Sequence, residues 1–346
     1  MSKVCIIIPV YNGKKYLPEL LESLKKQNYP QEDCEIIAVD DFSSDDSSTY
    51  IKQNFPEIKL VQNKKNEGFP LANNTGIKIA LEENSEYIVL LNQDTVVNPD
   101  WLGELVKAAE SDKKIAAVQP LILFWDDKNK INSSGNKMHF LGFGISQDFN
   151  LDAKDKPKEI KEIFYASGAA VLFRAEVLRE VGFLDKNLFY MEDLDLGWRL
   201  RLHGYKIVNA PESIIYHKYS FTRNKNKYYF LEFGRLFNLL KNYELITLVI
   251  LLPLLFFEEL AMTAYAFLKG WGNLKIKSYK DLFSNLNNLL EARKKLQEAR
   301  KISDKEICKF ILGEFNTRYE DFSNPILKLV NPFLSLYWKI LCGSLI

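Results

Sequence analysis

The chain has 346 residues, enough to bury a large core, and 47% of them are hydrophobic against 26% charged. A formal net charge of +1 gives no global attraction to nucleic acid. The four cysteines, Cys5, Cys34, Cys308 and Cys342, are scattered without a C-x-x-C, which argues against a zinc site and for a reducing compartment.

Val4 to Ile8 reads as a first strand, apolar without alternation and therefore covered on both faces. It is too short for a secretory signal and runs into Pro9-Val10-Tyr11-Asn12-Gly13. A helix follows, with Tyr16, Leu17, Leu20, Leu21 and Leu24 at helical spacing. A second strand, Glu35 to Val39, ends in Asp40-Asp41 and a run of Ser and Asp that turns the chain into a helix from about Thr49. Lys59 to Val61 is a short third strand. Asn66 to Gly76 leads into another helix, and Tyr87 to Leu91 is a buried strand ending in Asn92-Gln93-Asp94. The alternation predicts a doubly wound, mostly parallel α/β sheet.

In such a sheet the strand ends share one rim, where ligands bind. Tyr11 and Asn12, Asp40 and Asp41, and Asn92 with Asp94 all fall there. A carboxylate at Asp94 suits a divalent cation that bridges to a phosphate. Asp40 or Asp41 can accept the imide N–H of a uracil or thymine base. The plainer reading is that Asp41, Ser43, Asp45 and Asp94 only cap helices and turns.

Further on, Ala175 to Val181 is a short helix, and Glu192-Asp193 open another in which Asp195, Arg199 and His203 share a polar face while Leu196, Leu200 and Leu202 pack inward. Lys206 to Val208 and Ser213 to Tyr216 are strands, the second ending at His217; the other two histidines, His139 and His203, read as structural or exposed. Residues 125 to 163 are polar, with Gly142-Phe143-Gly144 in the middle, and read as a flexible loop that either covers the site or is merely solvated.

Taken together, Pro9-Val10-Tyr11-Asn12, Asp40-Asp41-x-Ser43-x-Asp45-x-Ser47, Asn66-x-Gly68-Phe69-x-x-Ala72-x-Asn74-x-Gly76 and Asn92-x-Asp94 resemble, in order and spacing, the motifs of family-2 glycosyltransferases with a GT-A-type fold, of the non-processive, rhamnosyltransferase-like kind. Ser167-Gly168-Ala169-Ala170-x-Leu172-x-Arg174 resembles the family's strand below the acceptor site, and Glu192-Asp193-x-Asp195-Leu196-x-x-Arg199-Leu200 its catalytic acidic motif. The likeness covers roughly residues 3 to 240. It implies a glycosyltransferase domain over residues 1–242 and an inverting transfer with Asp193 as general base beside Glu192. It implies nucleotide contacts from Pro9, Tyr11, Asn12, Asp40, Asp41, Gly68, Asn74, Asn92 and Gln93, and Mn²⁺ or Mg²⁺ held by Asp94 and His217. Acceptor or supporting contacts fall to Gly168, Trp198 and Arg199, although Asp195 and Arg199 also read as a structural ion pair. Asn92 departs from the family, since many members carry Asp there, and a neutral amide binds a cation less strongly.

Residues 243–346 lie outside the likeness and read as helical. Lys218, Arg223, Lys225 and Lys227 precede them. Leu245 to Phe257 is apolar but Glu258-Glu259 interrupts it, too soon for the roughly 20 residues a span needs. An interfacial or re-entrant helix with basic flanks (Lys275, Lys277, Lys280, Arg293 to Lys295, Arg300, Lys301) is expected, together with a last apolar helix from Ile326 to Leu345. The alternative is helices that pack on themselves or on a second copy as a homodimer. A membrane-surface location on the cytoplasmic side suits a lipid-linked glycan acceptor.

Competing classes fit less well. Only Gly13 follows the first strand, so G-x-G-x-x-G of a dehydrogenase is missing, as is G-K-[ST] of a P-loop. A nucleotidyltransferase lacks its Gly-rich basic loop and leaves Glu192-Asp193 without a job. A processive synthase would add clear spans and Q-x-x-R-W. A nucleotide-sugar-binding protein without turnover remains as the non-catalytic alternative.

Overall fold

A computed structural model describes residues 1–218, 226–315 and 325–344. Arg223, Lys225 and Leu345 of the expected basic run and last helix lie outside the described residues. In chain order the elements are β1 (Val4–Val10), α1 (Leu17–Lys25), β2 (Cys34–Asp40), α2 (Ser47–Asn54), β3 (Lys59–Gln62), α3 (Phe69–Glu82), β4 (Tyr87–Leu91), β5 (Thr95–Val97), α4 (Trp101–Glu110), β6 (Ile115–Phe124) and β7 (Ile131–Ser133). Then come β8 (Asn136–His139), β9 (Gly144–Ser146), β10 (Lys161–Glu162), β11 (Ala170–Arg174), α5 (Ala175–Val181), α6 (Glu192–Leu202) and β12 (Lys206–His217). The rest is helical, with α7 (Lys227–Asn242), α8 (Leu245–Leu268), α9 (Gly272–Ser284), α10 (Leu286–Ala299), α11 (Asp304–Ile307) and α12 (Pro325–Ser344), interrupted by β13 (Ile311–Leu312).

Two compact units are present. The first comprises Met1–Asn136, Ser146–Lys186 and Tyr205–Ser220, and the second Lys137–Ile145, Asn187–Gly204 and Phe221–Ile346.

The first unit is built on one sheet in the order β10-β12-β6-β11-β4-β1-β2-β3, with β5 paired to β12 and β7 to β6. β1 pairs in parallel with β2 and β4, as a fully buried apolar strand should. β11 is antiparallel to both β4 and β6, while β6 and β12 are parallel. Two reversals cancel, so β6 and β12 run the same way as β1, β2 and β4. The alternating side chains of β1 serve two layers. Ile6 and Ile8 join a core with Leu17, Leu21, Trp101 and Leu105 of α1 and α4, whereas Ile7 faces α3, where a Cβ on Gly76 would stand 2.5 Å from Ile7 Cγ2.

The second unit is mainly helical, with a small sheet in the order β13-β8-β9. Leu188, Phe233, Phe237 and Leu289 form one of its apolar clusters.

Three expectations are corrected. Residues 125–163 are not a flexible loop: they carry β7, β8, β9 and β10, and Ile131 to Asn136 are buried. Their polar groups satisfy one another, Gln119 Nε2 donating to Ser133 Oγ (3.1 Å) and Ser133 Oγ to the Gly135 carbonyl (2.9 Å). The strands at 206–208 and 213–216 are one strand, β12, which bulges between Ala210 and Ile214. Glu258-Glu259 does not end the apolar helix, because both carboxylates find buried cations within their unit: Arg235 Nη1 donates to Glu258 (3.2 Å), Lys275 Nζ donates to Glu259 (2.7 Å), and Arg235 also pairs with Glu259 and with Glu232 (3.0 Å). Lys275, expected on a basic surface, is fully buried there.

Gly76→Ala should lower stability by about 1–3 kcal/mol, because the branched Ile7 side chain must move to admit the methyl. Urea unfolding checks this; an unchanged midpoint would contradict the close approach of α3 to β1.

Candidate active site

The common direction of β1, β2, β4 and β12 brings their C-terminal ends to one rim of the first unit. Gln93 fastens two of those ends: Tyr11 N–H donates to Gln93 Oε1 (3.0 Å) and Gln93 Nε2 donates to the Tyr11 carbonyl (3.1 Å). A Cβ at Gly13 would fall 2.1 Å from Gln93 Oε1, so this bridge requires glycine there. Asn12 takes up a left-handed conformation, φ +47°, and its Oδ1 accepts from Ser44 N–H (2.8 Å), which ties the end of β1 to the loop after β2. Pro9 is buried within β1, opposite Val39. Tyr11 remains half exposed at the rim.

The two aspartates after β2 are buried and used mostly on the protein itself. Asp40 accepts from Ser43 N–H (3.2 Å) and Ser48 Oγ (2.5 Å). Asp41 accepts from Asn63 Nδ2 (2.8 Å), Glu67 N–H (2.9 Å) and Gly68 N–H (2.8 Å). It therefore sets the loop in which Gly68, at φ +85°, starts α3. Asn74 spends both ends of its amide on the Leu184 backbone, at 2.8 Å and 3.1 Å. Its part is to hold the segment after α5 against α3.

The pairing of β5 with β12 decides the rest of the rim. Thr95 lies opposite His217, so the preceding Asp94 meets the imidazole, with Oδ1 3.4 Å from Nε2. The Lys218 N–H donates to the Asp94 carbonyl (2.9 Å). His217 Nδ1 lies 3.4 Å from Asn132 Oδ1, which favours the tautomer with the proton on Nδ1 and Nε2 turned to Asp94. Asn92 N–H donates to the Ala169 carbonyl (2.9 Å), which brings the turn containing Gly168 to the same place. Asn92 Oδ1 is buried without a hydrogen-bond partner.

These donors fit a divalent cation. Two ligands each about 2.1 Å from one ion, at right angles or somewhat wider, stand about 3.0–3.4 Å apart, and the Asp94–His217 separation lies at that limit. Among the described residues no three His, Cys, Asp or Glu side chains gather, so the remaining ligands would be water or substrate oxygens.

Sequence reasoning did not single out Asn132, Trp125 or the rim role of Lys218. The Lys218 ammonium pairs with Glu19 (2.7 Å) and lies 4.8 Å from the Trp125 ring centre. No local pattern announces these groups, because β7, the end of β6 and α1 reach the rim only through the sheet.

In the second unit, Glu192 and Asp193 occupy the first turn of α6, where the helix dipole favours acids. Tyr190, at φ +71°, turns the chain into that helix, and Met191 is held by Asn238 Nδ2 donating to its carbonyl (3.1 Å). Glu192 is buried, and Oε2 has no hydrogen-bond partner. Burial first, and the neighbouring Asp193 charge second, push its carboxyl up to about 8. Asp193 is half-buried and accepts from Leu194 N–H (2.7 Å). Asp195 differs again. Burial would raise it, but Lys241 (2.6 Å) and Arg199 (2.9 Å) outweigh that and hold it below the usual carboxylate range. Arg199 is thus a structural partner. Trp198 is fully buried, edge-on to Tyr243 at 4.7 Å, and can only support the helix from within.

Residues 5–182 match the model of glycosyl transferase family 2, more than half of the chain. The chain belongs to this family. Among its relatives, the uncharacterized glycosyltransferase YaiP of Escherichia coli K12 is 29% identical over 225 residues, 62% of this chain and 52% of the relative. The poly-β-1,6-N-acetyl-D-glucosamine synthase of Staphylococcus epidermidis is 28% identical over 216 residues, 61% of this chain and 48% of the synthase. The chain thus spans about half the length of these curated relatives. The crystal structure of GalNAc-T7 with UDP, GalNAc and Mn²⁺ is similar at a TM-score of 0.57, with 19% identity, over 69% of this chain and 47% of that one. The fold is of the GT-A type, and the family match ends before Glu192.

The raised Glu192 carboxyl has a stability consequence. A folded-state value above the ordinary 4.5 means that the stabilisation is full below about 4.5 and is lost as pH rises towards about 8. Glu192→Gln does not titrate. Its stability relative to the parent should therefore improve between about pH 5 and about pH 9, read from urea midpoints. A constant difference would show that Glu192 is not held protonated.

Proposed function

We propose that this family-2 protein is an inverting glycosyltransferase that moves a sugar from a UDP- or dTDP-linked donor to a hydroxyl of a growing polysaccharide or lipid-linked glycan, at the cytoplasmic face of a membrane. The observation that carries the reading is the Asp94–His217 pair on the rim of a family-2 sheet, beside the unpartnered Asn92 oxygen. The relatives support the substrate class: one is named a polysaccharide synthase, and GalNAc-T7 was solved with UDP and Mn²⁺.

In this reading Asp94, His217 and the Asn92 oxygen would hold Mn²⁺ or Mg²⁺, which when bound would supply positive charge to offset that developing on the departing nucleoside diphosphate. Tyr11, with its exposed ring, lies against the base or ribose, while Asp41 recognises the base by whatever lone pair the loop leaves it. Asn12, Asp40, Gln93, Gly68 and Asn74 keep the loops in place, which fixes the donor in line for attack. Asp193 takes the proton from the acceptor hydroxyl. Burial of Glu192 favours its protonated form, which supports the more accessible Asp193 as the base in this reading. Gly168 lies in the turn beside Asn92, where an acceptor would approach.

Titration calorimetry with UDP, dTDP, GDP and NAD, each with and without Mn²⁺, tests the site. A pyrimidine diphosphate should bind tightly only with metal, and His217→Ala should weaken that metal-dependent binding; an unchanged metal titration removes His217 from the ligand set. Asp193→Asn should retain nucleotide binding and lose transfer by roughly 10²–10⁴-fold. Near-normal turnover would overturn the assignment of the base.

A further inference from the structure

The second unit exposes an apolar surface out of proportion to its packing needs. α8 is 24 residues long, and its most apolar window has a mean hydropathy of 2.2, yet only 11% of that window is buried. Its outward stripe consists of Leu245, Val249, Leu252, Phe256, Phe257 and Leu260, all more than half exposed, and ends in Phe267 and Leu268. These positions recur at helical spacing over roughly 30 Å or more, at about 1.5 Å per residue. The opposite side of α8 is pinned to its own unit, through Glu258 and Glu259 on Arg235 and Lys275 and through the buried Thr247, Leu251 and Ala266.

A second stripe lies on α12, where Leu329, Phe333, Leu336 and Ile340 are more than half exposed. The helices touch, with Tyr337 Oη donating to the Ile250 carbonyl of α8 (2.5 Å). α12 contains no acid, and its two charged residues, Lys328 and Lys339, are exposed. Lys269 closes α8.

We propose that the α8–α12 face lies in the plane of an anionic lipid bilayer, with the phenylalanines in the acyl boundary and Lys269, Lys328 and Lys339 among the headgroups. Two observations favour lipid over protein. Protein interfaces carry about one hydrogen bond per 100–200 Å², whereas the α8 stripe from Leu245 to Leu260 has no side chain that can make one. The acids of α8 are withdrawn into the buried ion cluster, and those of α12 are absent, so both helices present only positive charge beside the apolar band. The same cluster argues against crossing. A spanning α8 would have to carry into hydrocarbon the two carboxylates that its own unit binds, together with Arg235 and Lys275.

Flotation of the full-length protein with vesicles tests this. The protein should float with phosphatidylcholine vesicles containing phosphatidylglycerol, less with phosphatidylcholine alone, and less at high salt. Alkaline carbonate should release it. Phe256→Glu with Phe257→Glu should lower partitioning by about tenfold or more, and Leu336→Glu on α12 should lower it independently. Both changes are on exposed residues, and unchanged circular dichroism and melting show that the fold is intact. Lys328→Glu with Lys339→Glu should remove the preference for anionic vesicles. Failure to float, or resistance to carbonate, would overturn the proposal. So would a dimer in lipid-free solution that Phe256→Glu with Phe257→Glu dissociates, since a second copy would then be the occupant. Vesicle binding is read without donor or turnover, so its failure and that of the sugar-transfer reading are distinguishable.

Discussion

β11 lies between β4 and β6 and runs against both, and this single placement sets the direction of everything beyond it. Because the two reversals cancel, β12 returns its C-terminal end to the rim where β1, β2 and β4 also finish. The short β5 then folds back on β12 and sets Asp94 beside His217. Residues 123 positions apart in the chain become neighbours by register alone. A slip of one residue in β12 would turn the imidazole to the other face of the sheet.

Helix α6 shows how position, not residue type, sets the chemistry of an acid. Glu192, Asp193 and Asp195 sit within one turn of a helix N-terminus. Glu192 is buried with no cation paired to it among the described residues, and burial raises its carboxyl, so its proton is retained to unusually high pH. Asp195 is just as buried but faces Lys241 and Arg199, and is held ionised. Asp193 alone keeps partial access to solvent. An apolar site next to a paired one separates the roles of otherwise similar carboxyls.

The buried cluster on α8 does comparable work on a larger scale. Burial pushes Glu258 up to about 7, while Arg235 and Lys275 more than offset burial at Glu259 and hold it down to about 2. Removing one member would leave an uncompensated charge in the interior, which is far costlier than losing a surface pair. The cluster therefore fixes which side of α8 faces its own unit, and so which side is left apolar and outward.

The sequence alone determined the parallel strands, because fully buried strands read as unbroken apolar runs, and it determined the rim, because polar clusters follow those runs. The family resemblance came from motif order, and α5 and the start of α6 were legible from spacing and end signals. Tertiary structure decided what needs partners distant in sequence. Polarity alone made residues 125–163 look like a loop, yet Gln119 and Ser133 satisfy each other in the interior. Asp41 and Asn74 looked like ligand contacts, yet they spend most of their hydrogen bonds on the Gly68 loop and the Leu184 backbone. Glu258-Glu259 looked like a break in an apolar run, and became its anchor once Arg235 and Lys275 arrived from α7 and α9. Local pattern reports which groups want burial or charge, but whether a polar group is satisfied depends on what the fold places against it.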